Sequence, residues 1–257
     1  MDRSFLSRPE VVAASRKFVS VRLLTYEDEA EGKLLKSLAP TRSGELENTV
    51  FTVLSPDGKR RLARGSRSAR QTFGDAARMA EALERIAREH GARAPAADRA
   101  PELPAVPGVR LAVNVAACDG LPLAVLFTPA GEPGRALERR LAELAWGREF
   151  LGRFIYARAS GAKDLAPIEG ARAEAGLLVV QPDAFGLKGK VLRQAGASAS
   201  LEELARCLRE GAALYRGEEK SFAGHVRGGR EKGAFWETAT PVTDPMERRA
   251  RQRSRPE

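Results

Sequence analysis

Cysteine and histidine are scarce in this chain of 257 residues, which contains two of each. Cys118 and Cys207 lie far apart in the sequence, so they form neither a Cys-x-x-Cys pair nor a metal-ligand spacing, and two cysteines cannot build a disulfide framework. His90 and His225 have no acid or nucleophile at a recognisable spacing, so no catalytic triad can be argued. We therefore predict no metal site, no cofactor and a reducing, cytoplasmic location.

Long apolar runs are also missing. No run approaches the roughly 18 residues that a membrane-spanning helix needs. Residues 1–10 contain no apolar segment of the signal-peptide type. The sequence therefore predicts no membrane association.

Aromatic residues make up only 6% of a basic chain, whose net charge is +9. Lysine and arginine gain affinity for nucleic acids by releasing phosphate counterions. However, the helical segment 137–143 carries acids and bases on one exposed face, and the five arginines in the last ten residues have no Phe, Tyr or Trp among them. Single-strand binders need such stacking surfaces. The sequence therefore does not favour nucleic acid as a partner.

The length predicts about two domains, at roughly 100 to 200 residues for each. Composition divides the chain into four segments: a first unit, a linker with four prolines among alanines, a second unit, and a polar, basic tail with few aliphatic residues. We expect the linker to be extended and poorly packed, and the tail to be flexible. The four segments are residues 1–91, 92–108, 109–215 and 216–257.

Both units contain the same succession of a strand, a turn with a Pro-Asp pair, a second strand and an amphipathic helix. In the first unit these are residues 48–54, 55–58, 59–64 and 75–90, and in the second they are 176–181, 182–189, 190–193 and 201–215. The first of these helices spaces Met79, Leu83 and Ile86 on one face. The second opens with Ser200 and Glu203, which form a capping-box pattern.

Further elements precede each of these successions. The first unit is predicted to contain a helix over 9–17, an alternating strand over 18–24 and a helix over 29–38 that buries Leu34, Leu35 and Leu38. The second is predicted to contain strands over 110–115, 121–127 and 154–157, and a helix with an apolar stripe of Leu137, Leu141 and Leu144. This order indicates the α/β class.

The second unit resembles the thioredoxin superfamily. Residues 123–127 resemble the central strand of that family, which runs directly into a redox motif at the start of a helix. The resemblance puts Glu132, Pro133, Gly134 and Arg135 at the position of the family's Cys-x-x-Cys. A carboxylate is favourable at a helix start, but it can neither attack a disulfide nor form one.

The family also has a cis-proline just before the strand that opens the final hairpin. The equivalent positions lie near Asn48 and Thr49 in the first unit and near Ala175 and Gly176 in the second, and none of them is proline. Cis peptides without proline are rare. The resemblance therefore implies a scaffold that has lost its disulfide chemistry.

The first unit resembles an incomplete copy of the same domain. Residues 4–19 are similar to the segment that follows the redox motif, so the matching central strand would precede Met1. A sheet without its central strand leaves backbone groups unpaired. Either the two neighbouring strands close up, or the protein starts upstream with a Cys-x-x-Cys or a cysteine and selenocysteine pair.

Three functions follow from these observations. The leading one is a redox-inactive, tandem thioredoxin-like scaffold for protein interaction or chaperone-like binding of a peptide. The alternative is a thiol-disulfide oxidoreductase whose active pair lies upstream of Met1, and a weaker one is a nucleic-acid-associated protein that acts through its basic tail. Cys118, beside a predicted turn, is the candidate functional thiol, whereas Cys207 lies among apolar neighbours and is expected to be a packing residue.

Overall fold

A computed structural model of the chain describes residues 5–38, 50–90, 101–128, 132–217, 221–234 and 238–240. The chain divides into two units, Met1–Ala96 with Trp236–Glu257 and Ala97–Phe235. The described residues form eight α-helices and one six-stranded mixed sheet. The α/β class is therefore confirmed. Within the described ranges, no helix is both long and apolar enough to cross a membrane.

The first unit is built on helices. They are α1 (Pro9–Ser15), α2 (Glu29–Leu38), α3 (Ala69–Phe73) and α4 (Ala76–Glu89). Helix α4 begins after Asp75, whose side chain accepts the N–H of Arg78, a favourable N-cap. The predicted face of Met79, Leu83 and Ile86 is buried. These side chains share one core with α1 and with an irregular hairpin.

The two strands predicted over 48–54 and 59–64 are present only as this hairpin. Single antiparallel bridges join Phe51 to Ser66 and Leu54 to Arg61. Between them lies the predicted turn, closed by a hydrogen bond of 2.8 Å from the Gly58 N–H to the Ser55 carbonyl. A two-stranded hairpin is only marginally stable alone, and no third strand lies beside it in the described part of this unit. Residues 48 and 49 are outside the described ranges.

Two further predictions for the first unit are wrong. Residues 18–24 form no strand, and Val19 and Val21 are exposed. Helix α2 does not bury its leucine stripe, because Leu34 is 41% exposed and the buried position is Gly32. The Glu31 carboxylate accepts the backbone N–H of Leu24, which turns the face of Glu31 and Gly32 inward.

The second unit contains the sheet. Its elements are β1 (Ala105–Val106), α5 (Val109–Asp119), β2 (Leu123–Phe127), α6 (Glu132–Trp146), β3 (Ile155–Ala159), a 3₁₀ helix (Ala162–Leu165), β4 (Ile168–Glu169), β5 (Gly176–Pro182), β6 (Gly189–Gly196), α7 (Leu201–Leu214) and α8 (Phe222–Glu231). The strand order is β1-β3-β2-β5-β6-β4. Strand β2 runs parallel to β3 and antiparallel to β5.

Strand β2 separates two layers of core. All five of its residues are buried. Ala124 and Leu126 pack with α6 and α7, whereas Leu123, Val125 and Phe127 pack with α5. Such burial on both faces explains why the strand reads as a continuous apolar run.

The other predicted elements of this unit are largely confirmed. Leu137 and Leu141 of α6 are fully buried, and β3, the β5–β6 hairpin and α7 lie close to their expected bounds. The side chains of Ser200 and Glu203 form the predicted capping box at the start of α7.

The strand predicted over 110–115 is wrong, because these residues belong to helix α5. Short apolar runs do not distinguish a buried strand from a buried helix. The helix buries Ala112, Val113 and Ala116. It ends at Gly120, whose φ of +67° is a left-handed cap that glycine adopts without steric cost.

The segment predicted as a linker over 92–108 contains strand β1. In its described part, Leu103 is 3% exposed and joins the core against α6 and α7. Strand β1 pairs only with β3, at the end of the sheet. Edge strands tolerate proline, so Pro104 and Pro107 do not exclude the pairing.

The segment predicted as a flexible tail over 216–257 contains helix α8. The ring of Phe185, in the β5–β6 loop, stacks on His225 with 4.9 Å between centroids. Lys232 Nζ lies 5.2 Å from the same ring centroid, and Gly228 and Gly229 face the ring. The prediction rested on the polar composition of the segment and its few aliphatic residues, whereas this contact depends on an aromatic residue of the β5–β6 loop.

The β5–β6 loop that carries Phe185 is itself ordered by Asp183. The Asp183 carboxylate accepts the backbone N–H groups of Phe185, Leu187 and Lys188 at 2.9–3.1 Å. Arg110 of α5 donates to the Gly186 carbonyl at 2.6 Å. The ring is therefore held on a fixed turn.

We predict that Gly211→Ala destabilises the second unit. A Cβ atom at Gly211 would lie 2.4 Å from Val179 Cγ1 of β5, and overpacking typically costs about 1–3 kcal/mol. Chemical denaturation should show this loss in the free energy of unfolding. Gly196→Ala is the matched control, since its Cβ would meet nothing within 4 Å. Equal stability of the two variants would contradict the prediction.

We also predict that Phe185→Leu loosens α8 alone. Leucine keeps apolar volume but loses the ring contacts with His225 and Lys232, each worth about 0.5–1.5 kcal/mol. Hydrogen exchange of residues 222–231 should become faster, by about fivefold or more. Exchange in β5 and α7 should be unchanged and serves as the internal control. Unaltered exchange in α8 would show that the ring does not hold the helix.

Candidate functional site

Three neighbouring strands end at one edge of the sheet. Phe127, the last residue of β2, is in register with Ala159, the last of β3, and with Gly176, the first of β5. Thr128, Ser160 and Ala175 therefore lie next to one another, one step beyond the strands, which are roughly 4.8 Å apart. We name these three residues the strand-end edge. The Thr128 N–H donates to the Ala159 carbonyl at 3.0 Å, which fixes the direction of the chain as it leaves β2.

Helix α6 begins at the strand-end edge. Glu132, Pro133, Gly134 and Arg135 form its first turn, as the sequence predicts. A Cβ atom at Gly134 would lie 2.9 Å from the Thr128 Cβ, closer than real Cβ atoms approach other atoms. A glycine at this position therefore lets the helix start lie directly against the end of β2.

Asp164 organises the loop after β3. Its Oδ2 atom accepts the backbone N–H groups of Ser160 at 2.8 Å and Gly161 at 3.0 Å, and the Ser160 hydroxyl at 3.3 Å. The two backbone hydrogen bonds lower the pKa of Asp164, and the bond from Ser160 has the larger effect. The two N–H groups are thus occupied by a side chain of the same loop. They are not available to bind an anion.

The residues before β5 have a different character. Arg172, Ala173 and Glu174 are exposed. Within the described part of the chain, their backbone N–H and carbonyl groups form no hydrogen bond. This stretch, residues 172–174, leads through Ala175 directly into the strand-end edge. It therefore offers unpaired backbone groups beside three ordered strand ends. We name it the open segment.

Gly176 fixes the point where the open segment joins the sheet. A Cβ atom there would lie 2.0 Å from the Ala195 carbonyl oxygen of β6, so only glycine allows the two strands to pair at this point. The described peptide bonds are all trans. Ala175 and Gly176, the positions that the resemblance equates with a cis-proline loop, thus adopt the trans form.

A groove with a volume of about 530 Å³ lies along α6. It is lined by Pro101, Ala136, Arg139, Arg140 and Glu143. The groove is adjacent to the first turn of α6, because Ala136 follows Arg135 directly. Arg140 is held in place by a hydrogen bond of 3.2 Å to the Ala197 carbonyl, whereas Arg139 is exposed.

The cysteines lie away from the strand-end edge. Cys118 is exposed on the last turn of α5, at the opposite end of β2, which is about 13 Å long. Cys207 is buried on α7. Burial, with a smaller effect from Glu210, raises the pKa of the Cys207 thiol to about 11, so this thiol is protonated and unreactive near neutral pH.

The strand-end edge brings no catalytic set together in the described residues. His225 stacks on Phe185 beyond the far end of β5, and His90 caps α4 in the other unit. The described residues contain no group of three or more His, Cys, Asp or Glu side chains that could hold a metal ion. Asn48 and Thr49, predicted from the resemblance, lie outside the described ranges.

Sequence reasoning placed the start of α6 and the start of β5 but missed the residues between them. Thr128, Ser160 and Asp164 carry no motif, and their proximity depends on strand register. The usable signal was that Thr128 directly follows the apolar strand predicted over 121–127 and that Ser160 lies three residues after the one predicted over 154–157. The ends of adjacent parallel strands lie at one edge of a sheet, where ligands bind in many α/β proteins.

Comparisons of the chain with protein-family models, with curated proteins and with solved structures gave no match. The function must therefore be argued from the geometry of the strand-end edge and the open segment. This geometry offers backbone hydrogen-bonding groups and exposed arginines.

We predict that thiol reagents distinguish the two cysteines in the folded protein. Cys118 should be alkylated by iodoacetamide at pH 7, whereas Cys207 should react at least about tenfold more slowly because it is buried and protonated. Mass spectrometry of peptides after brief labelling measures both rates. Unfolding the chain should make the rates equal, which is the control. Similar rates in the folded protein would refute the burial of Cys207.

The raised pKa of Cys207 also predicts a pH dependence of stability. The folded state holds the proton more tightly than the unfolded state, whose thiol pKa is about 8.5. This contribution to stability is therefore complete below pH 8.5 and is lost as the pH rises to about 11. Cys207→Ala, measured by denaturation between pH 7 and 11, should show a smaller alkaline loss than the unaltered chain.

Proposed function

We propose that the second unit is a thioredoxin-like scaffold that binds extended peptides and does not exchange disulfides. Several features support the scaffold. Its sheet is mixed and has helices on both faces, its buried strand β2 leads into the start of α6, and its antiparallel β5–β6 pair is followed by α7. These features agree with the central strand, redox-motif helix, hairpin and final helix of the thioredoxin superfamily.

The observation that carries the binding function is the open segment. Exposed, unpaired N–H and carbonyl groups beside a sheet favour the addition of an extended peptide as a further strand. Here the segment is anchored at one end, because Gly176 pairs with both Phe127 and Gly196. A peptide would pair with residues 172–174 and lie across the strand-end edge.

The exposed charges near this edge favour one kind of peptide. The groove along α6 is lined by two bases, Arg139 and Arg140, and one acid, Glu143, which leaves it net positive, whereas the exposed Arg172 and Glu174 of the open segment balance each other. Opposite charges steer association and select partners more than they add affinity. We therefore propose that the preferred peptide alternates apolar with acidic residues. A few net backbone hydrogen bonds, each worth about 0.5–1.5 kcal/mol, would give the weak and reversible binding of a chaperone-like protein.

Disulfide exchange lacks a nucleophile at this edge. The first turn of α6 carries Glu132 and Arg135 where the resemblance would have two cysteines. A thiolate at a helix start is stabilised by the dipole and is reactive, whereas a carboxylate attacks no disulfide. The remaining chemistry of the edge is therefore recognition.

The proposal predicts that Ala173→Pro weakens peptide binding. Proline removes one backbone donor from the open segment and fixes its φ angle, so the dissociation constant should rise about three- to tenfold. Fluorescence anisotropy with a labelled peptide of alternating valine and glutamate measures this. Ala173→Ser is the matched control, because it keeps the N–H group. A peptide with lysine in place of glutamate tests the charge preference.

Two results would contradict the proposal. Equal binding by the proline and serine variants would mean that the open segment does not pair with the peptide. Dithiol-dependent reduction of insulin by the purified chain, abolished by Cys118→Ser, would show that the protein is an oxidoreductase instead.

A further inference from the structure

A short segment of the second unit lies on the outer edge of the sheet in the manner of a bound peptide. Residues 101–106 read Pro-Glu-Leu-Pro-Ala-Val, and we name them the strap. The strap ends in β1, which pairs parallel with β3 and has no strand on its other side in the described part of the chain. Pro101, Glu102 and Pro104 are exposed, whereas Leu103 is 3% exposed. A single buried side chain therefore anchors the strap.

The contacts of the strap are those that proteins use to hold an extended peptide. Leu103 fills a space in the core against α6 and α7. Trp146 Nε1 of α6 donates to the Glu102 carbonyl at 2.8 Å, and Arg158 Nη2 of β3 donates to the Leu103 carbonyl at 3.3 Å. In strand addition, main-chain hydrogen bonds give affinity and a pocket for a side chain gives specificity. We name the outer edge of β3, with Trp146, Arg158 and the space that Leu103 fills, the strap site.

The strap fills this site incompletely. It pairs with only two of the five residues of β3, Tyr156 and Ala157. The Tyr156 side chain is 3% exposed, and its hydroxyl has no hydrogen-bond partner among the described residues. A buried polar group without a partner is unfavourable. Tyr156 is in register with Ala105 of the strap, whose methyl group forms no hydrogen bond.

We propose that the strap site binds an extended segment of another protein, parallel to β3, and that the strap is a built-in competitor for this site. The preferred segment repeats the leucine and proline of the strap and has glutamine in place of Ala105. Its leucine takes the space of Leu103, and its neutral amide hydrogen-bonds the Tyr156 hydroxyl. Such a ligand keeps the contacts of the strap and adds the one that the strap lacks.

The strap of a second copy is a weaker occupant. It would repeat the contacts that already exist within one chain and leave the Tyr156 hydroxyl unpaired, while association loses translational and rotational entropy. Addition of a further strand outside β1 is also unfavourable, because Pro104 and Pro107 lack the N–H groups that strand pairing needs. The chemistry of the site therefore favours a different protein as the partner.

The covalent connection of the strap determines how strongly it competes. Pro107 and Gly108 join it directly to α5, so the strap acts at an effective concentration of about a millimolar or more. A free peptide should therefore bind the unaltered chain weakly. A change that weakens the strap but leaves the strap site intact increases the fraction of open sites, and the apparent dissociation constant of the peptide then falls.

Leu103→Ala in the full chain tests this competition. The variant removes the anchor of the strap, so a labelled peptide Pro-Glu-Leu-Pro-Gln-Val should bind at least about tenfold more tightly than to the unaltered chain. Leu103→Val keeps more of the core and should give a smaller increase. Leu151→Ala shortens an exposed leucine of the same unit, and this control should give no increase. Fluorescence anisotropy measures each affinity.

Changes in the peptide test the chemistry of the ligand. Serine in place of its leucine should abolish binding to Leu103→Ala. Alanine in place of its glutamine should weaken binding about threefold, as expected for one net hydrogen bond. This second difference should disappear when Tyr156→Phe is added to the protein. A purely structural role of Tyr156 would leave the difference between the two peptides unchanged.

A disulfide that fixes the strap to β3 provides the opposite test. In a Cys118→Ser background, Val106→Cys and Ala157→Cys are in register on adjacent strands about 4.8 Å apart, within the range of a disulfide. When Leu103→Ala is also present, oxidation should abolish peptide binding and reduction should restore it.

The strap site is separate from the open segment, because β3 and β5 lie on opposite sides of β2. The peptide of alternating valine and glutamate should therefore not compete for the strap site, and its failure to bind the protein at all would contradict the proposed function alone. Four results would overturn the strap site: competition between the two peptides, equal affinity of the unaltered chain and both Leu103 variants, equal binding of the leucine and serine peptides, or full binding to the oxidised variant.

Discussion

The second unit depends on strand β2. It is hydrogen-bonded on both edges and buried on both faces, so its neighbours have little freedom of position. Parallel pairing with β3 brings two carboxyl ends together, and antiparallel pairing with β5 brings the start of a third strand to the same edge. The strand-end edge is thus a consequence of register. A slip of one residue would turn the apolar side chains of β2 to the wrong layer, so the packing that stabilises the domain also fixes the site.

Close backbone approaches maintain this arrangement. Gly176 lets β5 meet β6, Gly211 lets α7 rest on Val179, and Gly134 lets α6 begin against Thr128. Each glycine lies where a Cβ atom would collide with a neighbour, and two of them lie at the candidate site. The start of α6 is therefore ordered by shape although it carries no thiol. A rigid edge favours the peptide binding that we propose, because only the peptide, and not the protein, would then lose conformational entropy.

Local signals predicted the long elements well. Caps and apolar spacing found α4, α6 and α7, and turn residues found the β5–β6 hairpin. Sequence reasoning failed where the structure depends on distant residues. The run that became α5 is apolar on too many sides to reveal its period, and α8 depends on Phe185 in another loop. The strand-end edge was missed for the same reason: its residues come from three strands whose register no local pattern determines, and only the start of α6 and of β5 could be placed.

The two units show how strand number decides order. In the second, β5 and β6 pair along their length with one register shift, between Val179 and Val180, and β2 continues the sheet. In the first, a hairpin with a similar turn forms two isolated bridges only, and residues 19–24 form no strand although their sequence favours one. Two strands seldom order each other without a third or a covering layer. The irregular hairpin and the exposed valines therefore have one cause, which is a lack of strand partners among the described residues of that unit.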